Sequence, residues 1–419
     1  MPGIEATRSF VKLVRSWNAA AGDDSLSKEI VDILRAVRTH LGMDVAFVSE
    51  FSQGRRVFRF VDSAPDIHIV SVGASDPLDE SYCQRIIDGR LPELITDATV
   101  LDAARELPAT LELPVGAHLS VPIRLRDGRI YGTFCCFSFL PDHTLNERDL
   151  NMMRVFADLT VEKIENAIEK ERAISSVQDR INTVLGSDLL TVVYQPIYSL
   201  ALKKVTGYEA LSRFSSEPYR APDIWFSEAL QVGLGCQLES RALALALAGL
   251  SELRAGEYLS LNVSPGFILN NDLQDVLDGS PLERIVLEVT EHVSIDDYLG
   301  LAERIGPLRR KGMRLAVDDA GAGYASFRHV LSLEPDLIKL DASIIRDIDT
   351  DFSRRALAIA FISFAQTTGA EIIAEGVETE AQFTTLQQLG VDRIQGNFIG
   401  EPRALKGVPP HASAVAVTQ

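Results

Sequence analysis

The chain has 419 residues, room for two or three domains at roughly 100–200 residues each. With 46% hydrophobic and 24% charged residues it fits globular domains rather than disorder, and a net charge of −18 argues against nonspecific nucleic-acid binding, which needs a basic footprint. The longest apolar run, Ala242–Leu250, falls far short of the roughly 20 residues that span a bilayer, and the opening MPGIEATRSFVKLVRSWN lacks the pattern of a secretory signal, so a cytoplasmic chain without a membrane span is expected.

After an N-terminal segment, 1–25, apolar residues at Ile30, Ile33, Leu34, Val37 and Leu41 predict a helix over Ser27–His40. Strand-like runs follow at Val45–Phe51, Val57–Val61, Ser120–Leu125 and Tyr131–Phe139. Gln53-Gly54 and Asp127-Gly128 sit where hairpin turns need positive φ. Helix, antiparallel strands and a closing helix make an α+β domain over 26–145. Cys83, Cys135, Cys136 and Cys236 include no CxxC pair and read as buried, reduced thiols.

A long helix is predicted over Asn146–Val184, within a connecting segment 146–186. Its apolar stripe, Met153, Ala157, Val161, Ile164, Ile168, Ile174, Val177, Ile181 and Val184, fits either one face of a core helix or the seam of a parallel coiled coil. The stripe exceeds what one small domain needs, which favours a homodimer. From Leu189 the pattern changes to short apolar strands alternating with helices. Strands are expected near 190–197, 205–211, 258–264, 285–290, 314–319, 337–341, 371–375 and 392–396, and helices near 237–253, 297–311, 353–368 and 379–389. This order predicts parallel βα units closing an α/β (β/α)₈-type barrel over 187–408, with 409–419 a tail.

In such a barrel the polar residues at the C-terminal strand ends face the active site. Strand by strand these are Glu209, Asn262, Glu288, Asp318 with Asp319, Lys339, Glu375 and Gln395. Burying them together is costly unless metals neutralise them. Carboxylates and an amide oxygen, with no histidine, point to Mg²⁺ or Mn²⁺ rather than Zn²⁺. Adjacent aspartates can hold two ions when one carboxylate bridges, the arrangement suited to phosphodiester cleavage. Taken singly, Arg213 could be a surface cation, Lys339 a strand-end charge and Glu378 an acid at a helix start. His292 and His329, beside these segments, read as structural.

The segment YEALSRF at Tyr208–Phe214 resembles the signature of the EAL family of cyclic di-GMP phosphodiesterases. The resemblance continues through YQPIY at Tyr194–Tyr198, LNVSP at Leu261–Pro265, EVTE at Glu288–Glu291, DDAGAGYAS at Asp318–Ser326, IKLD at Ile338–Asp341, AEGVET at Ala374–Thr379 and QG at Gln395–Gly396, about half the chain. It implies one metal on Glu209, Asn262, Glu288 and Asp318 and a second on Asp318, Asp319 and Glu375. Lys339, Glu375 and Asp319 would be catalytic, with Lys339 beside the attacking water. Gln195, Leu211, Arg213 and Gln395 would contact substrate, and Glu291 and Glu378 would brace the loop carrying Asp319. Ala320, Ala322, Asn397 and Ile399 depart from residues common in the family.

The implied function is hydrolysis of cyclic di-GMP to linear pGpG. The alternative is a catalytically inactive receptor that binds cyclic di-GMP, but decay of the metal ligands would be expected there and every ligand is present. No GGDEF-type synthase motif occurs. The N-terminal half resembles a GAF sensor domain through Ser120–Phe139 and Tyr82–Ala98, which implies regulation through an unknown small ligand or partner. Gln84 follows Cys83 where phytochrome-type domains carry histidine, so bilin attachment is not expected, nor is haem on His118.

Overall fold

The computed structural model describes residues 24–113, 115–270, 272–290, 297–321 and 326–405. The chain divides into two compact units, Met1–Arg172 and Ala173–Gln419. No helix among the described residues is long and apolar enough to cross a membrane.

The first unit is a six-stranded antiparallel sheet in the order β3-β2-β1-β6-β5-β4. Its strands are β1 (Val45–Ser52), β2 (Arg55–Ser63), β3 (Ser75–Pro77), β4 (Leu94–Ile95), β5 (Ala117–Arg124) and β6 (Ile130–Ser138). Gln53 and Gly54 turn β1 into β2 at φ +50° and +74°, as the hairpin requires. The two edge strands, absent from the sequence reading, are only three and two residues long, too short to show alternation. On one face, helix Asp24–His40 buries Ile30, Leu34 and Val37 against Ala46, Val48, Phe134 and Cys136. The opposite face carries Phe47, Phe58, Cys135 and Phe137 under short helices that contribute Tyr82, Cys83 and Ile86. Strand alternation thus sends the neighbours Cys135 and Cys136 to opposite faces.

Helix Glu147–Leu185 runs for 39 residues. Its apolar stripe is used within each unit. Met153, Ala157 and Ile164 enter the sheet-and-helix core, with Val161 and Ile168 packed beside them. Further along, Ile181 and Val184 join Leu190, Phe214 and Trp225 in the second unit. Ile174 between them is 43% exposed.

The second unit closes into an eight-stranded barrel, β10-β11-β12-β13-β14-β7-β8-β9. Its strands are β7 (Leu190–Ser199), β8 (Lys204–Phe214), β9 (Tyr258–Asn262), β10 (Ile285–Thr290), β11 (Arg314–Ala320), β12 (Leu337–Leu340), β13 (Glu371–Ala374) and β14 (Arg393–Gln395). One feature corrects the expectation of uniformly parallel βα units: β7 is antiparallel to both its neighbours, β8 and β14. Only Leu200–Lys203 separates β7 from β8. A parallel pair needs a crossover of a dozen or more residues, so this link can only make a hairpin.

The barrel interior is stacked in layers. Ile197, Tyr258, Val286, Ala316, Leu337 and Ile373 form an apolar plug. Gly207 completes that level, where a Cβ would stand 2.6 Å from the Tyr258 ring. Because side chains alternate along a strand, the inward residues two positions from this plug make the next layer. They are Gln195, Glu209, Ser260, Glu288, Asp318, Lys339 and Glu375.

Candidate active site

Lys339 organises this polar layer. Its side chain is only 1% exposed, and Nζ lies 3.2 Å from Glu209 Oε2, 2.9 Å from Glu288 Oε2, 3.0 Å from Asp318 Oδ1 and 2.6 Å from Glu375 Oε1. The amides orient the acids. Asn262 Nδ2 donates to Glu209 Oε1 at 2.8 Å, and Gln395 Nε2 donates to Glu209 Oε2 at 2.6 Å and to Gln195 Oε1 at 3.0 Å. Gln195 Nε2 in turn reaches the Gly400 carbonyl at 3.3 Å. Ser260 Oγ donates to Glu288 Oε1. Ser260 was missed by sequence reasoning, although it shares a strand face with Asn262, two residues on.

Asp318 and Asp319 are adjacent, so a regular strand would point them to opposite sides. The β11–β12 ladder breaks its register between Val317 and Ala320, and Asp319 adopts φ +55°. This break lets both aspartates face the same space. Carboxylate oxygens of Glu209, Glu288 and Asp318 lie within 4.8 Å of one another, and so do those of Asp318, Asp319 and Glu375. Asp318 is common to both groups, and among the described residues no histidine or cysteine joins either.

The acids are not electrostatically equivalent. Burial pushes Glu288 well above the usual carboxylate range, and the neighbouring Glu209 adds to the effect. Burial likewise raises Glu375, against the opposing pull of Lys339. At Glu209 burial is outweighed by Lys339, Gln395 and Asn262, so its pKa falls. Burial works against the charged form of Lys339, but Asp318, Glu209, Glu288 and Glu375 together outweigh it and raise its pKa. One ammonium cannot satisfy so many buried acids, and the layer favours extra cations.

The remaining expected site residues are placed as follows. Leu211 and Arg213 share the Glu209 face of β8, and both are half-buried. The Arg213 guanidinium donates to the Ser212 carbonyl at 2.8 Å and is outside the carboxylate cluster. Glu378 is exposed ahead of helix Glu380–Leu389, and its backbone N–H donates to Gln382 Oε1 at 2.8 Å. Glu291, His292, the His329 side chain and Ala322 lie outside the described residues.

A family model described as "EAL domain" matches residues 178–402, more than half of the chain, and one described as "GAF domain" matches residues 26–162. Among curated proteins, the probable cyclic di-GMP phosphodiesterase PdeD of Escherichia coli is 28% identical over 244 residues, 56% of this chain and 45% of the relative. The cyclic di-GMP phosphodiesterase NbdA of Pseudomonas aeruginosa is 30% identical over 244 residues, 55% of this chain and 31% of the relative. The chain therefore spans less than half the length of these relatives. A solved structure of the EAL enzyme Bd1971, in a form binding cAMP and cyclic di-GMP, aligns over 87% of this chain and 91% of its own with a TM-score of 0.53. Its 18% identity makes this a likeness of fold.

Proposed function

The chain belongs to the EAL domain family, and we propose that its barrel hydrolyses cyclic di-GMP to linear pGpG with two divalent cations, Mg²⁺ or Mn²⁺. The observation that supports this reading is the charge of the polar layer. Glu209, Glu288, Asp318, Asp319 and Glu375 set five carboxylates against the one ammonium of Lys339. With all five ionised, the excess of four negative charges is what two divalent cations would cancel, and hard oxygen donors suit Mg²⁺ or Mn²⁺. NbdA is named a cyclic di-GMP phosphodiesterase and PdeD a probable one, which supports the substrate class.

Glu209, Asn262, Glu288 and Asp318 would hold one cation, and Asp318, Asp319 and Glu375 the other. When bound, such a pair supplies the positive charge that acidifies an attacking water and offsets charge on the phosphodiester. Lys339 would donate its N–H groups to the attacking oxygen and stabilise charge developing at phosphorus. Gln395 would keep Glu209 oriented while Gln195 and Leu211 line the substrate side. Arg213 would fork two oxygens of a substrate phosphate, as guanidinium geometry allows. Glu291 and Glu378 would brace the loop behind Asp319.

The GAF domain would adjust this activity through a small ligand or partner. A homodimer along helix Glu147–Leu185 would use the exposed Val155, Leu159 and Ile174, since the neighbouring apolar positions are already covered. Incubating the purified chain with cyclic di-GMP and Mg²⁺ or Mn²⁺, followed by product chromatography, tests the reading. Appearance of pGpG is expected. Tight binding without product would replace the enzyme with an inactive receptor.

A further inference from the structure

The GAF domain holds a pair of cysteines that its fold brings together from distant positions. Cys83, on helix Tyr82–Ile87, and Cys135, on β6, are 52 residues apart, yet their sulfurs stand 3.6 Å from each other. Both are fully buried and both are free thiols. A disulfide bond is ~2.05 Å long, so closing it asks the two sulfurs to approach by about 1.5 Å.

The surroundings distinguish the two sulfurs. Arg56 Nη1 donates to Cys83 Sγ at 3.2 Å. That guanidinium is held in place: Nε donates to Asp76 Oδ1 at 2.9 Å, and the group lies over the Phe58 and Phe47 rings at 4.7 and 5.6 Å. Cys135 Sγ lies 3.0 Å from Ser120 Oγ and 3.1 Å from Thr133 Oγ1. Burial disfavours a charged Cys83, but the hydrogen bond from Cys135 and the Arg56 charge prevail and bring its thiol down to about 5. Burial and the Cys83 neighbour raise Cys135. The Arg56 guanidinium beside Cys83 marks that sulfur as the attacking one, and Cys135, 3.6 Å away, as its resolving partner. A metal cation would face the Arg56 charge, and among the described residues no third ligating side chain joins the pair.

We propose that Cys83 and Cys135 are a reversible dithiol–disulfide site, oxidised by a small hydroperoxide. This stands independently of the chemistry assigned to the barrel. The Cys83 thiolate attacks the outer peroxide oxygen, the O–O bond breaks, and the alkoxide or hydroxide leaves and takes up a proton. Cys83 is then a sulfenic acid. The Cys135 sulfur attacks the Cys83 sulfur, the S–O bond breaks, and hydroxide departs with the Cys135 proton as water. Two thiols lose two electrons and two protons, and the peroxide is reduced to alcohol, or water, plus water. Cys136 faces the opposite core and Cys236 belongs to the barrel, so neither competes for this bond.

The test uses the full chain treated with dilute hydrogen peroxide, alkylated under denaturing conditions and read by tandem mass spectrometry. A Cys83–Cys135 cross-link is expected, with loss of two of the four thiols and recovery of both on adding dithiothreitol. In Cys135→Ala, Cys83 should stop at a sulfenic acid that dimedone traps. The proposal is overturned if both cysteines stay alkylated while Cys236 is oxidised, or if Cys83 links to Cys136. Tandem mass spectrometry on the unsubstituted chain decides even where Cys135→Ala does not fold.

Discussion

Each half of the chain buries an ionic cluster around a single cation, and the two clusters are balanced differently. In the barrel, Lys339 faces Glu209, Glu288, Asp318 and Glu375, all within 3.2 Å of its ammonium. In the GAF domain, Arg56 faces one partly exposed carboxylate, Asp76, and the sulfur of Cys83. The first cluster has far more negative charge than its cation can offset, and the second carries at most one negative charge beyond its cation. A buried cluster with excess charge calls for something from outside the chain, while a balanced one can be complete in itself. On the two proposals, the same physical feature, a buried cation among anions, would serve a metal-dependent active site in one domain and an internal redox pair in the other.

The sharpest way to break the comparison is to remove a barrel acid. Glu209→Ala should lower hydrolysis by about 10³-fold, the scale of several kcal/mol of lost charge stabilisation, measured by chromatography of cyclic di-GMP. Exhaustive chelation should do the same to the unsubstituted chain, and full activity after it would end the two-cation reading. Mg²⁺ or Mn²⁺ should restore turnover, with Ca²⁺ a poor substitute because of its looser shell.

Next comes the cation itself. Lys339→Ala should cut kcat by roughly 10²-fold with a smaller change in KM, because the ammonium acts on the attacking oxygen and developing charge. It should also destabilise the metal-free barrel by about 3–5 kcal/mol, since it strands buried carboxylates, and Mn²⁺ should recover much of that loss in thermal melts. In the GAF domain, Arg56→Met removes one half of a nearly balanced pair. It should destabilise that domain by a similar amount, but Mn²⁺ should give no recovery there.

A pH series sharpens the contrast. The folded barrel holds the Glu288 proton more tightly than the unfolded chain does. Above the unperturbed glutamate value of about 4.3 the metal-free fold therefore binds more protons, and this residue costs it stability as pH rises. Glu288→Gln should gain on the unsubstituted protein from pH 5 to pH 8 by roughly a few degrees in Tm, and saturating Mn²⁺ should reverse its advantage. A difference that stays flat with pH would mean that Glu288 is not protonated in the metal-free fold. The smallest effect is expected at Arg213, outside the carboxylate cluster. Arg213→Lys keeps the charge but loses the fork, so KM should rise about tenfold with kcat nearly unchanged in steady-state kinetics.

Much of the barrel was legible in the sequence because its signals are local. Each strand is an apolar run ending in one polar residue, so Glu209, Asn262, Glu288, Asp318, Lys339, Glu375 and Gln395 could be named one strand at a time. The hairpins at Gln53-Gly54 and Asp127-Gly128 were legible for the same reason, since turn chemistry resides in two adjacent residues. Other features depend on what lies across the fold. The direction of β7 follows from pairing with β8 and β14 at once. The shared orientation of Asp318 and Asp319 comes from a broken register against β12. The apolar stripe on helix Glu147–Leu185 looked the same whether a second copy or the chain's own cores covered it, and only packing showed Met153, Ala157, Ile164, Ile181 and Val184 buried within their own units. The approach of Cys83 to Cys135 had no sequence signal, because 52 residues separate them and the sheet alone sets their distance. Residue type and short-range periodicity determined which groups this protein carries; strand pairing and burial decided which of them meet, since charge and reactivity depend on neighbours that the chain brings together only when it folds.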